Sequence, residues 1–255
     1  MLHNYHTHTV RCNHAVGTDR EYVENAIAAG LKTLGFSDHA PQAFPQTDVR
    51  YSHCMRDDQL FEYAESVRAL AKEYENDIRI LCGFELEYFP DSHEEETAFL
   101  RQVRPDYLIM GQHYLGNGIG KKHVYYLGRE GDDAVLEAYV SQMLAGLATG
   151  DFLYVAHPDI AGFAFSEQAC EREYRRLCAY AKRKNIPLEL NLLGVKDNRL
   201  YPDRRFYKIA AEVGNEVVLG VDAHEAKVFS NPEPERKART MAAELGLSLR
   251  ETPLL

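Results

Sequence analysis

Short apolar runs, each followed by a longer amphipathic stretch, recur along this 255-residue chain. They are KTLGFSDH (32–39), IRILCGFE (78–85), YLIMGQH (107–113), FLYVAH (152–157), PLELN (187–191) and EVVLGVD (216–222), preceded by the more polar LHNYHTH (2–8). Runs this short and this apolar read as buried strands. The stretches 19–30, 57–76, 93–103, 132–149, 166–184, 203–213 and 233–245 read as helices. Thr18 with Glu21 three positions on is a capping-box pattern. Leu60, Tyr63, Ala64, Val67, Leu70 and Ala71 fall on one helical face. Strand–helix alternation of this kind builds an α/β fold with a parallel sheet, and the length suits a closed or nearly closed barrel resembling a TIM barrel. With no sequence repeat, low-complexity segment or Pro/Gly-rich linker, residues 1–255 are expected to form a single domain.

Ligand-capable side chains fall at the ends of these strands. His6 and His8 end the first, Asp38 and His39 the second, Glu85 the third, His113 the fourth, His157 the fifth, and Asp222 with His224 the seventh; His14 lies in the first loop. In an α/β barrel the C-terminal strand ends converge on one face. One histidine at a strand end is usually a hydrogen-bonded structural residue. Seven of the chain's 11 histidines in this register are another matter. Buried together with carboxylates and no cation, they would carry a large desolvation cost. A metal site is therefore expected. Imidazole and carboxylate without thiolate suit zinc, iron or manganese. Nine candidate ligands are too many for one ion and suit two or three, with a bridging carboxylate. His3, His53, His93 and His123 have no comparable placement.

The formal net charge of −10 does not favour nucleic acid. Five cysteines in irregular spacing, with no CxxC pair, read as reduced thiols of a cytoplasmic protein. The N-terminus lacks an apolar signal region, and no run of 18 apolar residues exists to cross a membrane. Oligomeric state is open at this point.

The motifs HTHT, SDHA, GFELEY, GQHY, AHPDI and GVDAH, in this order and spacing, resemble those of the polymerase-and-histidinol-phosphatase (PHP) family, over residues 3 to 226. The resemblance is closest to its stand-alone, histidinol-phosphatase-like branch. It implies a distorted (β/α)7 barrel with a trinuclear metal centre of zinc, manganese or iron. By the same resemblance, one ion takes His6, His8, Glu85 and Asp222. Glu85 bridges to a second, completed by His113 and His157, and a third takes His14, His39 and His224. The implied activity is hydrolysis of small phosphate monoesters, L-histidinol phosphate of histidine biosynthesis foremost, with inorganic phosphate as product. Two ions about 3.5–4 Å apart can share a water and turn it into hydroxide at neutral pH. Glu85 is thus a catalytic as well as a ligating candidate. Asp38 and Asp159 are candidates to protonate the leaving group or orient a ligand histidine; Asp159 after Pro158 also fits a turn or helix cap.

One departure concerns substrate. The branch carries an arginine shortly after HPD and another after the glycine of an Asn-x-x-Gly motif. Here the first region reads HPDIAGFAF, without arginine. The second, ELNLLGVKDNR, contains Asn191, with Lys196 at the expected arginine position and Arg199 three residues later. Asn191, Lys196 and Arg199 are the substrate-binding candidates, with a solvated loop as the plainer explanation of the two cations. The loops 42–56 and 192–205 are expected to set specificity. Other readings are a PHP phosphoesterase for nucleotides, sugar phosphates or phosphotyrosine, an amidohydrolase, and a non-catalytic metal-binding domain.

Overall fold

A computed structural model describes residues 1–43, 52–116, 123–162 and 164–255. Its centre is a curled parallel sheet of eight strands in sequential order: β1 (His3–Asn4), β2 (Thr33–His39), β3 (Arg79–Leu86), β4 (Tyr107–Met110), β5 (Tyr154–Val155), β6 (Leu188–Asn191), β7 (Glu216–Gly220) and β8 (Ser248–Leu249). Parallel neighbours need crossover connections, and helices supply them. They are α1 (Asp19–Ala28), α2 (Leu60–Glu73), α3 (His93–Leu100), α4 (Val124–Gly128), α5 (Asp133–Leu147), α6 (Glu167–Lys184), α7 (Leu192–Asp197), α8 (Arg204–Val213) and α9 (Glu233–Leu245). The Thr18–Glu21 capping box opens α1 as expected. Among the described residues no helix is long and apolar enough to cross a membrane.

Strand period sorts the side chains. In β3, Ile80, Cys82, Phe84 and Leu86 join the large core shared with the helices, while Leu81 belongs to a smaller cluster inside the barrel. That inner cluster includes Tyr5, Tyr107, Ile109, Tyr154 and Val218. Tyr5 and Tyr107 meet edge to face at 5.8 Å. The Tyr107 hydroxyl donates to the backbone carbonyls of Tyr5 (2.8 Å) and Phe36 (3.0 Å). This tyrosine layer is a floor. Glu85, Glu189 and Asp222 continue the inward-facing registers of β3, β6 and β7 above it.

Three features differ from the sequence-based expectation. The first strand has ladder pairing only at His3–Asn4; beyond it the chain bridges Thr7 to Ala223, in parallel, and closes the top of the barrel. Lower down, the Asn4 amide oxygen accepts from Val221 N (2.9 Å), so a side chain does the work of a ladder bond. There β8 adds an eighth strand where seven were expected, pairing Ser248 and Leu249 with the start of β7. Two residues carry too little apolar signal to announce a strand. The short helices α4 and α7 were likewise unanticipated.

Candidate metal centre

The nine candidate ligands come together above the tyrosine floor. His6 Nε2 lies 3.5 Å from Glu85 Oε2 and 3.5 Å from Asp222 Oδ1; His8 Nε2 lies 3.5 Å and 3.1 Å from the same two atoms. Glu85 Oε1 faces His157 Nε2 at 2.9 Å and His113 Nε2 at 3.8 Å. His14 and His224 bring their Nε2 atoms to 2.8 Å, and the His14 ring is 5.4 Å from that of His39. His39 differs from the others in turning Nδ1 to Glu85 Oε2 (3.1 Å). His6, His8, Glu85, His157 and Asp222 are buried, His39, His113 and His224 half-buried, and His14 exposed. The cluster therefore runs from a dry bottom to an open rim.

A line of residues behind the rings fixes their orientation. Glu189 accepts from His6 Nδ1 (2.8 Å) and His157 N (2.9 Å). Glu87 meets His113 Nδ1 (2.9 Å) and accepts from the His113 and Tyr114 backbone amides (3.0 and 3.1 Å). Asp38 lies 3.4 Å from His8 Nδ1 and is itself held by the Thr9 hydroxyl and by His39 N at 2.9 Å. The carbonyls of Cys12 and Asp222 hold Nδ1 of His14 (2.8 Å) and His224 (3.0 Å). With Nδ1 engaged outward, the rings of His6, His14, His113 and His224 turn Nε2 inward, the arrangement metal-ligating histidines take. Backbone geometry contributes too. His157 and Asp222 sit at φ 28° and 52°, in the left-handed region that costs a non-glycine residue roughly 1–3 kcal/mol and concentrates at functional sites.

The inward atoms are orphaned. Nε2 of His6, both ring nitrogens of His8 and both Glu85 oxygens are buried and make no well-formed hydrogen bond, only close ion-pair contacts within the cluster. Leaving such groups unsatisfied costs about 1–3 kcal/mol each, more when charged, and cations on the two sides of Glu85 would satisfy them. Electrostatics point the same way. Burial alone would raise the Glu85 carboxyl, yet His39, His6 and His113 hold it well below the usual range. Burial alone would lower His6, but Glu189, Asp222 and Glu85 push it well above its ordinary value. Burial likewise opposes the rise of His8 to about 9, which Asp222 and Asp38 bring about. At the rim, burial first and neighbouring imidazoles second keep His39 and His224 well below the ordinary value, in the neutral form that ligates. His/carboxylate groups close enough to share an ion include His6, His8 and Asp222, His6, Glu85 and His157, and His8, His39 and His224. The donor set fits divalent metal.

Two of the other expected roles need correction. Asn191 is not free to bind substrate: its amide donates to Glu189 (2.9 Å) and Asp222 (3.1 Å), and its oxygen caps α7 at Gly194 N (2.9 Å). Asp159 is not placed to protonate a leaving group. Its buried carboxyl accepts from Asp203 N and lies 3.5 Å from the Tyr207 hydroxyl, tying the turn after β5 to α8. Asp38 stands behind His8, which suits orientation rather than proton donation. Lys196 and Arg199 do line the bowl above the ligands, a cavity of about 790 Å³. Lys196 lies 3.3 Å from Asp197 and 3.4 Å from Glu225; Arg199 reaches Asp197 (3.1 Å) and the Tyr201 hydroxyl (3.0 Å). Residues 44–51 of the loop after β2 lie outside the described residues.

Sequence reasoning missed Glu87 and Glu189, and with them the bowl's wall of His53, Tyr114, His123, Tyr125, Tyr126 and Arg129. A glutamate inside PLELN was a usable signal, since a buried strand seldom carries an unpaired charge. His3 and His93 are bystanders, bonded to Thr33 and Asp151.

Comparison with known proteins adds an independent line. The family model described as "PHP domain" matches residues 4–192. A probable histidinol-phosphatase of Deinococcus radiodurans is 30% identical over 226 residues, spanning 86% of this chain and 85% of that protein. The histidinol-phosphatase of Bacillus subtilis is 25% identical over 253 residues, spanning 87% and 92%. Among solved structures, histidinol phosphate phosphatase from Lactococcus lactis, complexed with zinc, L-histidinol and phosphate, superposes with a TM-score of 0.75 at 21% identity, covering 97% of this chain and 95% of that one.

Proposed function

The chain belongs to the PHP-domain family and is a metal-dependent phosphoric monoester hydrolase, and we propose that its substrate is L-histidinol phosphate, cleaved at a centre of three divalent ions. The observation that carries this reading is the convergence of His6 Nε2, His8 Nε2 and both Glu85 oxygens, all buried and without a well-formed hydrogen bond. In the proposed assignment His6, His8, Glu85 and Asp222 hold one ion. Glu85, His113 and His157 hold the second, and His14, His39 and His224 the third. Zinc, manganese or iron suits this donor set.

Divalent ions held by these residues would supply Lewis acidity toward water and the phosphoryl oxygens. The chain does the rest. Glu85 offers one oxygen to each side and so fixes the spacing of the two deepest sites. Glu189, Glu87 and Asp38 hold His6, His113 and His8 in one ring orientation, which spares the site reorganisation when charge develops. The tyrosine floor closes the bottom of the barrel to water. Lys196 and Arg199 on the β6 side of the bowl lie where a phosphoryl group would enter, and Tyr114, Tyr125, Tyr126 and Tyr201 give a flat ring carried by the leaving alcohol, such as imidazole, an aromatic wall.

The test is phosphate release from L-histidinol phosphate by protein reconstituted with zinc, manganese or ferrous iron. Turnover is expected in the wild type, and Glu85→Gln should reduce it by more than the roughly 10–100-fold that loss of an outer hydrogen-bond partner costs. The bowl is wide, and a lysine stands where the family resemblance implies an arginine, so other small monoesters should also be accepted with modest discrimination. Turnover of other monoesters with none of histidinol phosphate would favour a PHP phosphoesterase of different specificity.

A further inference from the structure

Anion recognition in the bowl needs a cation whose charge is not already spent. Lys196 and Arg199 share theirs with Asp197 and Glu225. The loop after β5, HPDIAGFAF, contains no basic residue other than the candidate ligand His157. Against that loop packs the end of α4. Gly128 approaches so closely that a Cβ there would sit 1.4 Å from the Ala161 carbonyl oxygen. The next residue is Arg129, which lines the same bowl as His113, His157 and Glu85. Its guanidinium lies 4.7 Å from the centre of the Tyr125 ring and 5.9 Å from that of Tyr126, and donates to the Tyr125 hydroxyl at 2.7 Å. Among the described residues it has no carboxylate partner. The aromatic pair holds the planar fork by stacking and one hydrogen bond, leaving the other N–H donors available.

We propose that Arg129 grips the phosphoryl group of the substrate, and inorganic phosphate after cleavage, from the α4 side of the bowl. This rests on the phosphatase reading above and extends it to a specific residue. A guanidinium pairs with two phosphoryl oxygens at once, which the ammonium of Lys196 does not. Arg129 then approaches the anion from the connection after β4, whereas Lys196 lies in α7, on the connection after β6.

The test is calorimetric titration of the metal-reconstituted protein with inorganic phosphate, alongside KM for L-histidinol phosphate. Arg129 is exposed, so Arg129→Ala should fold and keep its metal content. Loss of a charge-assisted contact predicts phosphate affinity lower by roughly 10- to 150-fold and a KM raised by a similar factor. Arg129→Lys should fall between wild type and alanine, keeping charge without the fork. Phosphate affinity unchanged in Arg129→Ala, or no phosphate binding in the wild type, overturns the proposal. The titration needs no turnover, so the two readings fail separately. Weakened phosphate binding in a protein that hydrolyses no monoester would support the grip and sink the phosphatase reading. An active enzyme indifferent to Arg129→Ala would do the reverse.

Discussion

At the scale of single residues, buried carboxylates divide into two kinds here. Glu85 and Asp222 stand among imidazoles that outweigh burial and hold them ionised. Asp159 stands among neutral groups and Asp203, and burial, only partly opposed by the Asp203 amide, pushes it up to about 8. That difference gives a pH prediction with a definite sign. Between about pH 4, where an unfolded aspartate titrates, and about pH 8, the folded protein keeps a proton on Asp159 that the unfolded chain has lost. Stability due to this group therefore falls as pH rises through that window and is level above it. Asp159→Asn, which mimics the neutral carboxyl, should remove that slope in denaturant titrations from pH 5 to 8 and leave kcat close to wild type. A large loss of kcat with intact metal content would return Asp159 to the catalytic machinery. The nine candidate ligands were legible because histidine is conspicuous and strand ends share a face. Glu87 and Glu189 lie inside the GFELEY and PLELN stretches, but their orienting roles were not legible there, because only the structure shows which ring each carboxylate backs.

At the scale of elements, the inward register of each strand decides what reaches the bowl. Gly220 of β7 illustrates how tightly the register is used. A Cβ at this position would lie 1.7 Å from Glu189 Oε1 of the neighbouring strand. Glycine is required because the Glu189 carboxylate, on its way to His6, crosses the place a side chain would take. Gly220→Ala should therefore cost about 1–3 kcal/mol through overpacking, read as a Tm lower by roughly 2–12 °C. It should also weaken metal affinity by roughly 10–100-fold as Glu189 is driven from His6. Titration with a competing chelator checks the second effect, and unchanged affinity would show that Glu189 does not orient His6. The seven longer helices, α1, α2, α3, α5, α6, α8 and α9, were legible from period and caps. β8 and the short α4 and α7 were not, because two to six residues carry too little periodicity to separate from loop. Asn191 was read as a substrate contact on its motif, when its position at the junction of β6 and α7 commits it to capping.

For the whole molecule, closure is what turns residues scattered from His6 to His224 into one site. The Thr7–Ala223 bridge joins the first and seventh strand continuations at the top, and the tyrosine layer fills the barrel below. The parallel barrel was expected from strand–helix alternation; its eighth strand at the bottom of β7 was not. What the closed top leaves is a graded cluster, dry at Glu85 and wet at His14, whose orphaned atoms call for cations. The most direct test of that central claim is native mass spectrometry of the protein reconstituted with zinc or manganese, counting ions per chain. The ligand sets predict about three, given one set of four ligands and two of three, with Glu85 common to the first two sets and water completing each. A protein that takes up no ion under these conditions, with Glu85 and its histidines intact, would contradict the account.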